Sequence, residues 1–230
     1  MGRLYAIALL AGGCNFALPG TSAPNDQPEV DAANPPPPGD APLADAAIPD
    51  TLTNSAQTTD HFASADTWLH SQLPNNSFAG DLFVIPDGSP QAVALMQFDL
   101  RALAGTVITK VELHIWTDFD PGAQVQVFPL FEGWSESEAT FNQRFNGVAW
   151  TTAGAAPPSR GATAIATFTP SPEFTEFTVA LDTATVAGWV AAPESNFGFA
   201  ITSVNSDGPK LVSREGAQGT RPLLRITHTP

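Results

Sequence analysis

Two neighbouring stretches, QAVALMQFDL at residues 91–100 and KVELHIWTD at 110–118, decide the fold class of this 230-residue chain. The first stretch is apolar on both faces, which is typical of a central strand covered on both sides. The second alternates apolar and polar residues, as a strand with one buried face does. Its two faces are Val111, Leu113 and Ile115 on one side and Glu112, His114 and Trp116 on the other.

Further short apolar stretches, separated by Gly, Pro and Asn turns, predict more strands. They are QVQVFPLF (124–131), FTEFTVAL (174–181), NFGFAITS (196–203), KLVSRE (210–215) and RPLLRITHT (221–229). Only TATVAGWVAA at 183–192 has helical spacing, and Pro193 ends it. With no alternation of strands and helices, we predict an all-β domain, a two-sheet jelly-roll sandwich.

The N-terminus has the pattern of a secretory signal peptide over residues 1–13, with Arg3 followed by an apolar run and small residues. Cys14, the only cysteine, comes next. This order resembles a bacterial lipobox, in which the cysteine carries a diacylglycerol, although Ala11 stands where Leu is usual. We therefore predict that Cys14 is lipidated and anchors the chain to a membrane. An ordinary signal peptide with an incidental cysteine is the alternative.

Residues 14–60 are rich in Pro, Ala and Asp, with seven acidic residues and no Lys or Arg. Such a composition predicts a disordered stalk, because it cannot bury enough apolar surface to offset its conformational entropy. The predicted folded domain is then 61–230. We expect a secreted, lipid-anchored protein at the surface of a bacterium. Asn15 after the cysteine favours the outer membrane, by resemblance to Gram-negative lipoproteins.

The charge of the predicted domain argues against nucleic-acid partners. Residues 61–230 contain 16 acidic and eight basic residues, and the whole chain has a formal net charge of −14. Proteins that bind nucleic acid neutralise phosphates with clustered Lys and Arg, and no such cluster occurs here.

Six motifs occur in one order through the predicted domain: SADTWLHSQLPNNSFAG, ALMQFDLRAL, ITKVELHIW, VFPLFEGWSESEATFNQR, SNFGFAITS and LVSREGAQGTRPLLRIT. In this order they resemble the DNRLRE-type, disaggregatase-related jelly-roll modules, with Phe141 where that family usually has Trp. The resemblance implies a jelly-roll fold and carbohydrate binding, and some members of the family recognise acidic polysaccharides.

Catalytic motifs are weak in this sequence. Glu136 and Glu138 lie near Arg144 in GWSESEATFNQR, but two carboxylates in one loop do not flank a sugar as glycosidase acids do. We interpret the motif as a loop held by Trp134 in the core and by Glu–Arg and Asn142 hydrogen bonds. The Arg and Glu of the SRE motif receive the same structural interpretation, and GWSES lacks the second Gly of a nucleophile elbow. We predict no enzyme activity.

No cofactor is expected, but a structural calcium ion is an open alternative. Asp66, Asp118 and Asp120 offer the hard oxygen ligands that calcium prefers. There is no EF-hand loop, and DFDPG is typical of a β-turn.

A sugar site needs an aromatic platform beside polar groups. Trp134 and Trp189 have apolar neighbours and are predicted core residues, while Trp150 is predicted to lie in a surface loop. Our candidate carbohydrate-binding residues are Trp116, His114, Glu112 and Arg225, the last because it lies on the outward face of its strand.

These inferences lead to one predicted function and one alternative. We expect a non-catalytic cell-surface lipoprotein that recognises a polysaccharide or cell-wall glycan. The alternative is a structural or assembly protein that acts through protein contacts and has no sugar site. A broad flat apolar patch would favour that alternative.

Overall fold

The computed structural model describes residues 55–119, 122–170 and 172–230. The predicted signal peptide, Cys14 and most of the predicted stalk lie outside the described residues. The elements, in chain order, are β1 (Gln57–His70), β2 (Phe83–Val84), β3 (Asp87–Gly88), β4 (Gln91–Phe98), β5 (Val107–Phe119), β6 (Val125–Pro129), β7 (Gln143–Phe145), β8 (Val148–Ala149), β9 (Ala166–Phe168), β10 (Thr175–Ala180), α1 (Thr183–Ala191), β11 (Phe199–Ser203), β12 (Lys210–Val212) and β13 (Leu223–Thr229). Short 3-10 helices cover Arg101–Leu103, Ala153–Ala155 and Pro193–Ser195.

One antiparallel sheet, here called the front sheet, is built around β5. β10 pairs with one edge of β5, and β13 and then β12 pair with the other edge. β2 extends this sheet beyond β12, and the first half of β1 lies beyond β13.

The second antiparallel sheet, the back sheet, is built around β4. The second half of β1 lies on one edge of β4, and β11, β6 and β9 follow on the other. β3 forms a hairpin with β4. With one short helix beside these sheets, the prediction of an all-β sandwich is confirmed.

The two sheets share strand β1. Gln57–Phe62 pair with β13, an irregularity follows between Ala63 and Ala65, and the strand then continues along β4. Residues 57–60, which the sequence analysis assigned to the predicted stalk, therefore pair within the sandwich. This first half of β1 is mostly exposed and polar, so its composition alone does not mark it as a strand.

The main core fills the space between the sheets. The front sheet contributes Val111, Leu113 and Ile115, and the back sheet contributes alternate residues of β4, Ala94, Met96 and Phe98. Each of these side chains is almost fully buried. The alternation predicted for residues 110–118 is therefore confirmed for its apolar face.

A second core covers the outer face of the back sheet. The remaining β4 residues, Val93 and Leu95, pack there against Trp134 and Trp150 from the segment between β6 and β9. Residues 91–100 are therefore covered on both sides, as predicted. Trp150 is 4% exposed and its indole N–H donates to the Thr140 carbonyl at 2.9 Å, so the prediction of a surface position was wrong.

Helix α1 begins where the sequence predicts and ends at Ala191, one residue before the predicted end. The Asp182 carboxylate accepts a hydrogen bond from the Thr185 backbone N–H at 2.9 Å and so caps the first turn. The helix buries Val186 and Trp189, and Trp189 contacts Phe199 with ring centroids 4.9 Å apart. In the part of the chain that the structure describes, no helix is long and apolar enough to cross a membrane.

Candidate functional site

The four predicted sugar-binding residues lie on one surface, the outer face of the front sheet. Glu112, His114 and Trp116 alternate with the core residues of β5. Arg225 on β13 is the direct cross-strand partner of Glu112, and Glu176 on β10 is the partner of Trp116. Paired residues of an antiparallel sheet have side chains on the same face, so this placement follows from the register.

Trp116 lies in a groove at one end of this face. Its indole is partly exposed, and Asp118 lies beside it on the same strand. The groove has a volume of about 230 Å³. Its other lining residues are Leu82 and Phe83 around the start of β2, Val212 on β12, and Gly216, Ala217 and Thr220 from the loop after β12.

His114 is on the predicted face but is only 7% exposed. Its Nδ1 lies 3.4 Å from the Thr178 hydroxyl and 3.4 Å from a carboxylate oxygen of Glu176. Its Nε2 is buried and has no hydrogen-bond partner among the described residues. The imidazole is therefore largely shielded from solvent and offers little surface to a ligand.

Glu112 and Arg225 are held by other charged groups. The Arg225 guanidinium donates two hydrogen bonds of 2.7 Å to the two carboxylate oxygens of Asp60, and Glu112 lies 2.8 Å from the Lys110 ammonium. The Arg225 hydrogen bond also lowers the pKa of the Asp60 carboxyl. Since an antiparallel strand rises about 3.4 Å per residue, the Glu112–Arg225 pair is about 14 Å along the sheet from Trp116. The four candidates therefore differ in their surroundings. Trp116 lies in the groove, His114 is buried, and Glu112 and Arg225 each form an ion pair.

A separate polar cluster lies where β1 meets two loops. Asp66 is 1% exposed, and one of its carboxylate oxygens accepts a 2.6 Å hydrogen bond from the Arg214 backbone N–H. The Asp66 backbone N–H donates in turn to Glu136 at 2.8 Å. Carboxylate oxygens of Asp66, Glu136 and Glu215 lie within 4.8 Å of one another. We call these three residues the carboxyl cluster.

A guanidinium already provides positive charge to this cluster. Arg214 Nη1 lies 3.1 and 3.0 Å from the two carboxylate oxygens of Glu136 and 3.4 Å from Glu215. Burial raises the pKa of Asp66 to about 8, and the neighbouring Glu215 and Glu136 carboxylates act in the same direction. Burial and the two neighbouring carboxylates therefore favour the protonated form of Asp66, which lowers the charge that a metal ion would meet.

The calcium alternative proposed Asp66, Asp118 and Asp120 as ligands. The structure groups Asp66 with Glu136 and Glu215, while Asp118 lies in the Trp116 groove. Asp120 is outside the described residues. Within residues 55–119, 122–170 and 172–230, the side-chain oxygens close enough to hold a metal ion together are therefore those of the carboxyl cluster.

The loop of the GWSESEATFNQR motif is held differently from the prediction. Trp134 is buried and donates to the Phe197 carbonyl at 2.9 Å, as a core residue would. Arg144 donates to the Gly133 carbonyl at 3.0 Å and lies 3.8 Å from Glu132, whereas Glu136 pairs with Arg214. The Glu–Arg and Asn142 hydrogen bonds expected for this loop are present, with Asn142 donating to Asn75 at 2.9 Å, but the arginine that binds Glu136 comes from the loop after β12 rather than from the motif itself.

Sequence reasoning missed part of the groove wall. β2 has only two residues, too few to show a recognisable alternation, whereas β12 lies within the strand predicted at 210–215. The exposed Leu82 beside the apolar residues of β2 was the only local signal for this wall.

Residues 57–228 match the family model described as carbohydrate-binding module family 96. The chain belongs to this family. No curated protein is similar enough to the chain to count as a match. Membership of family 96 confirms the expectation of a carbohydrate-binding module, and the matched range covers both halves of β1. The DNRLRE-type relationship stays a prediction.

Proposed function

We propose that this chain is a non-catalytic cell-surface lipoprotein whose family 96 module holds a polysaccharide in the Trp116 groove. The family match carries the sugar-binding part of the proposal. The choice of site is supported by the partly exposed indole of Trp116, which lies in a groove on the outer face of the front sheet.

The chemistry of the groove suits a sugar ring. The face of an indole packs against the C–H groups of a pyranose, and carboxylates accept hydrogen bonds from its hydroxyls. Trp116 supplies the indole, and Asp118 and Glu176 lie beside it with carboxylates. Carbohydrate-binding modules are non-catalytic in general, which supports a holding role rather than glycoside cleavage.

The charge around the groove favours neutral glycans over polyuronates. Asp118 and Glu176 add negative charge next to Trp116, and the whole chain is strongly acidic. A polyanion would meet repulsion that salt screens only beyond about 10 Å at 0.1 M ionic strength.

Affinity electrophoresis through gels that contain a neutral β-linked glycan or a polyuronate tests the site and its preference. We expect Trp116→Ala to lose more than about 1 kcal/mol of binding, the scale of one aromatic contact. Trp116→Phe, which keeps a smaller ring, should lose less. Unchanged binding by Trp116→Ala would exclude this groove. Binding to a polyuronate alone, insensitive to a chelator, would refute the charge argument.

The anchor part of the proposal rests on the sequence pattern around Cys14. Bacteria that express the wild-type chain and are fed a radioactive fatty acid should yield a labelled protein in the membrane fraction, and Cys14→Ser should remain unlabelled. Release of unlabelled wild-type chain into the medium would contradict lipidation.

A further inference from the structure

The outer face of the front sheet continues from the Trp116 groove to strand β1. Phe62, at the end of the first half of β1, is the cross-strand partner of Leu223 on β13, and Leu223 is the partner of His114 on β5. Paired residues of an antiparallel sheet have side chains on the same face, and residues two apart on one strand share a face as well. Phe62 therefore lies on the face that carries Trp116.

The side chains along this row differ in exposure. Phe62 is 52% exposed, whereas Leu223 and His114, which lie between it and the strand position of Trp116, are 9% and 7% exposed. Apolar ring area in contact with water is therefore present at Phe62 and not at the two residues between. The face has one partly exposed ring at the groove and a second one two strands away.

The exposure of Phe62 is not required by the strand that carries it. A single exposed apolar side chain is common on protein surfaces and needs no special explanation. Here, however, the five residues before Phe62, QTTDH, are all polar and pair with β13 without help from an apolar ring. The exposed part of the ring makes no contact that stabilises the sandwich, and a sugar ring that covered it would remove apolar surface from water.

The spacing of the two rings indicates the length of ligand that could contact both. Phe62 lies two strands from β5, and Trp116 lies two residues further along β5 than the partner of Leu223. With strands about 4.8 Å apart and a rise of about 3.4 Å per residue, the backbone positions of Phe62 and Trp116 are about 12 Å apart. A single sugar ring is too small to contact both side chains, whereas a chain of several linked rings is long enough.

Paired charges border this path on one side. Asp60, Arg225 and Glu112 form the next row of cross-strand partners on the same face. Arg225 gives two hydrogen bonds of 2.7 Å to Asp60, and Glu112 lies 2.8 Å from the Lys110 ammonium. Because these charges are satisfied by one another, the border offers no unpaired cation to an acidic sugar. An uncharged chain suits the path better.

We propose that the glycan site extends from the Trp116 groove over His114 and Leu223 to Phe62, so that the module holds several consecutive units of a neutral polysaccharide rather than a single sugar. This inference rests on the proposed function of the Trp116 groove. Phe62 is a second stacking platform in this site, and a ligand reaches it only when its chain is long enough to continue across β13.

The dependence of affinity on chain length tests the extended site. The probes are the disaccharides and hexasaccharides of β-1,4-linked glucose, mannose and xylose, titrated calorimetrically into the full chain. For a sugar that the wild type binds, Phe62→Ala should lower the hexasaccharide affinity about fivefold, the scale of one aromatic contact, and leave the disaccharide affinity unchanged. Trp116→Ala should lower the affinity for both lengths.

Three further variants separate stacking from packing. Phe131 is 59% exposed and follows β6 of the back sheet, so Phe131→Ala is a matched control that should leave both affinities unchanged. Phe62→Tyr keeps an aromatic ring and should keep the hexasaccharide affinity. Phe62→Leu keeps an apolar side chain without a ring and should lose most of the difference between the two chain lengths. In urea unfolding, Phe62→Ala should be destabilised no more than Phe131→Ala.

The outcomes that contradict the two proposals are different. Equal hexasaccharide affinities of Phe62→Ala and Phe131→Ala would overturn the extended site, and so would full affinity in Phe62→Leu, since the residue would then serve only to cover Leu223. In both cases a loss of binding in Trp116→Ala would leave the proposed function intact. A wild type that binds none of these sugars, or wild-type binding by Trp116→Ala, would overturn the proposed function and this inference with it.

Discussion

The front and back sheets have similar inner faces but different outer faces. On the back sheet, Val93 and Leu95 point outward and are covered by the segment that carries Trp134 and Trp150. On the front sheet, Glu112 and Trp116 point outward at the surface, and a groove forms beside Trp116. A tryptophan on the outer face of the back sheet is therefore part of a core, whereas Trp116 on the outer face of the front sheet is available to a ligand.

The largest effect should come from uncovering the back sheet. Trp150→Ala removes a buried indole from the second core, so we expect it to lower the free energy of unfolding by about 3–5 kcal/mol. Urea unfolding followed by circular dichroism measures this. Where the variant remains folded, its glycan affinity should match that of the wild type. A loss of binding without destabilisation would mean that the ligand sits on the covered side.

A second prediction concerns Asp66, the buried acid of the carboxyl cluster. Because the pKa of Asp66 is raised to about 8 in the folded state, the folded chain binds one more proton than the unfolded chain between about pH 4 and about pH 8. The contribution of Asp66 to the free energy of unfolding should therefore be highest below about pH 4. It should decline by at most about 1.4 kcal/mol for each pH unit up to about pH 8.

Urea unfolding at several pH values tests this sign. Asp66→Asn should remove the decline, and Asp182→Asn should retain it. A wild-type stability that rises steadily between about pH 5 and about pH 8 would mean that Asp66 is ionised in the folded state.

A third prediction concerns the tryptophan of the uncovered face. Because Trp116 is only partly buried, Trp116→Ala should cost about 1–2 kcal/mol of stability, clearly less than Trp150→Ala. Trp150→Ala should therefore lose mainly stability, and Trp116→Ala should lose mainly glycan affinity. Equal destabilisation by both would indicate that Trp116 is a core residue and would break the contrast between the sheets.

The smallest effect should come from the ion pair between β1 and β13. Asp60→Asn removes a charge from an exposed pair, so we expect a loss of about 0.2–1 kcal/mol of stability in urea unfolding and no change in glycan affinity. Asp99→Asn, which alters another exposed Asp–Arg pair, is the matched control. If Asp60→Asn lost as much glycan affinity as Trp116→Ala, Arg225 would belong to the binding site.

Much of the fold followed from local sequence patterns. The period-two alternation of residues 110–118 predicted which side chains of β5 enter the core, and the two apolar faces of 91–100 predicted a strand covered on both sides. The spacing and Pro193 predicted α1. These features depend on neighbouring residues along one strand or helix, so periodicity is sufficient to find them.

The sequence by itself also placed Trp116, His114 and Glu112 on one face of their strand and Arg225 on the outward face of its own strand, because a strand's alternation determines its sides. Only the tertiary structure decided that Trp116 has a groove while His114 is buried. It likewise decided that Glu136 pairs with Arg214, 78 residues away, and that Trp150 is buried against the back sheet. The physical reason is that a local pattern reports which way a side chain points, whereas its exposure and charge partners depend on distant segments that strand register and loop packing bring beside it.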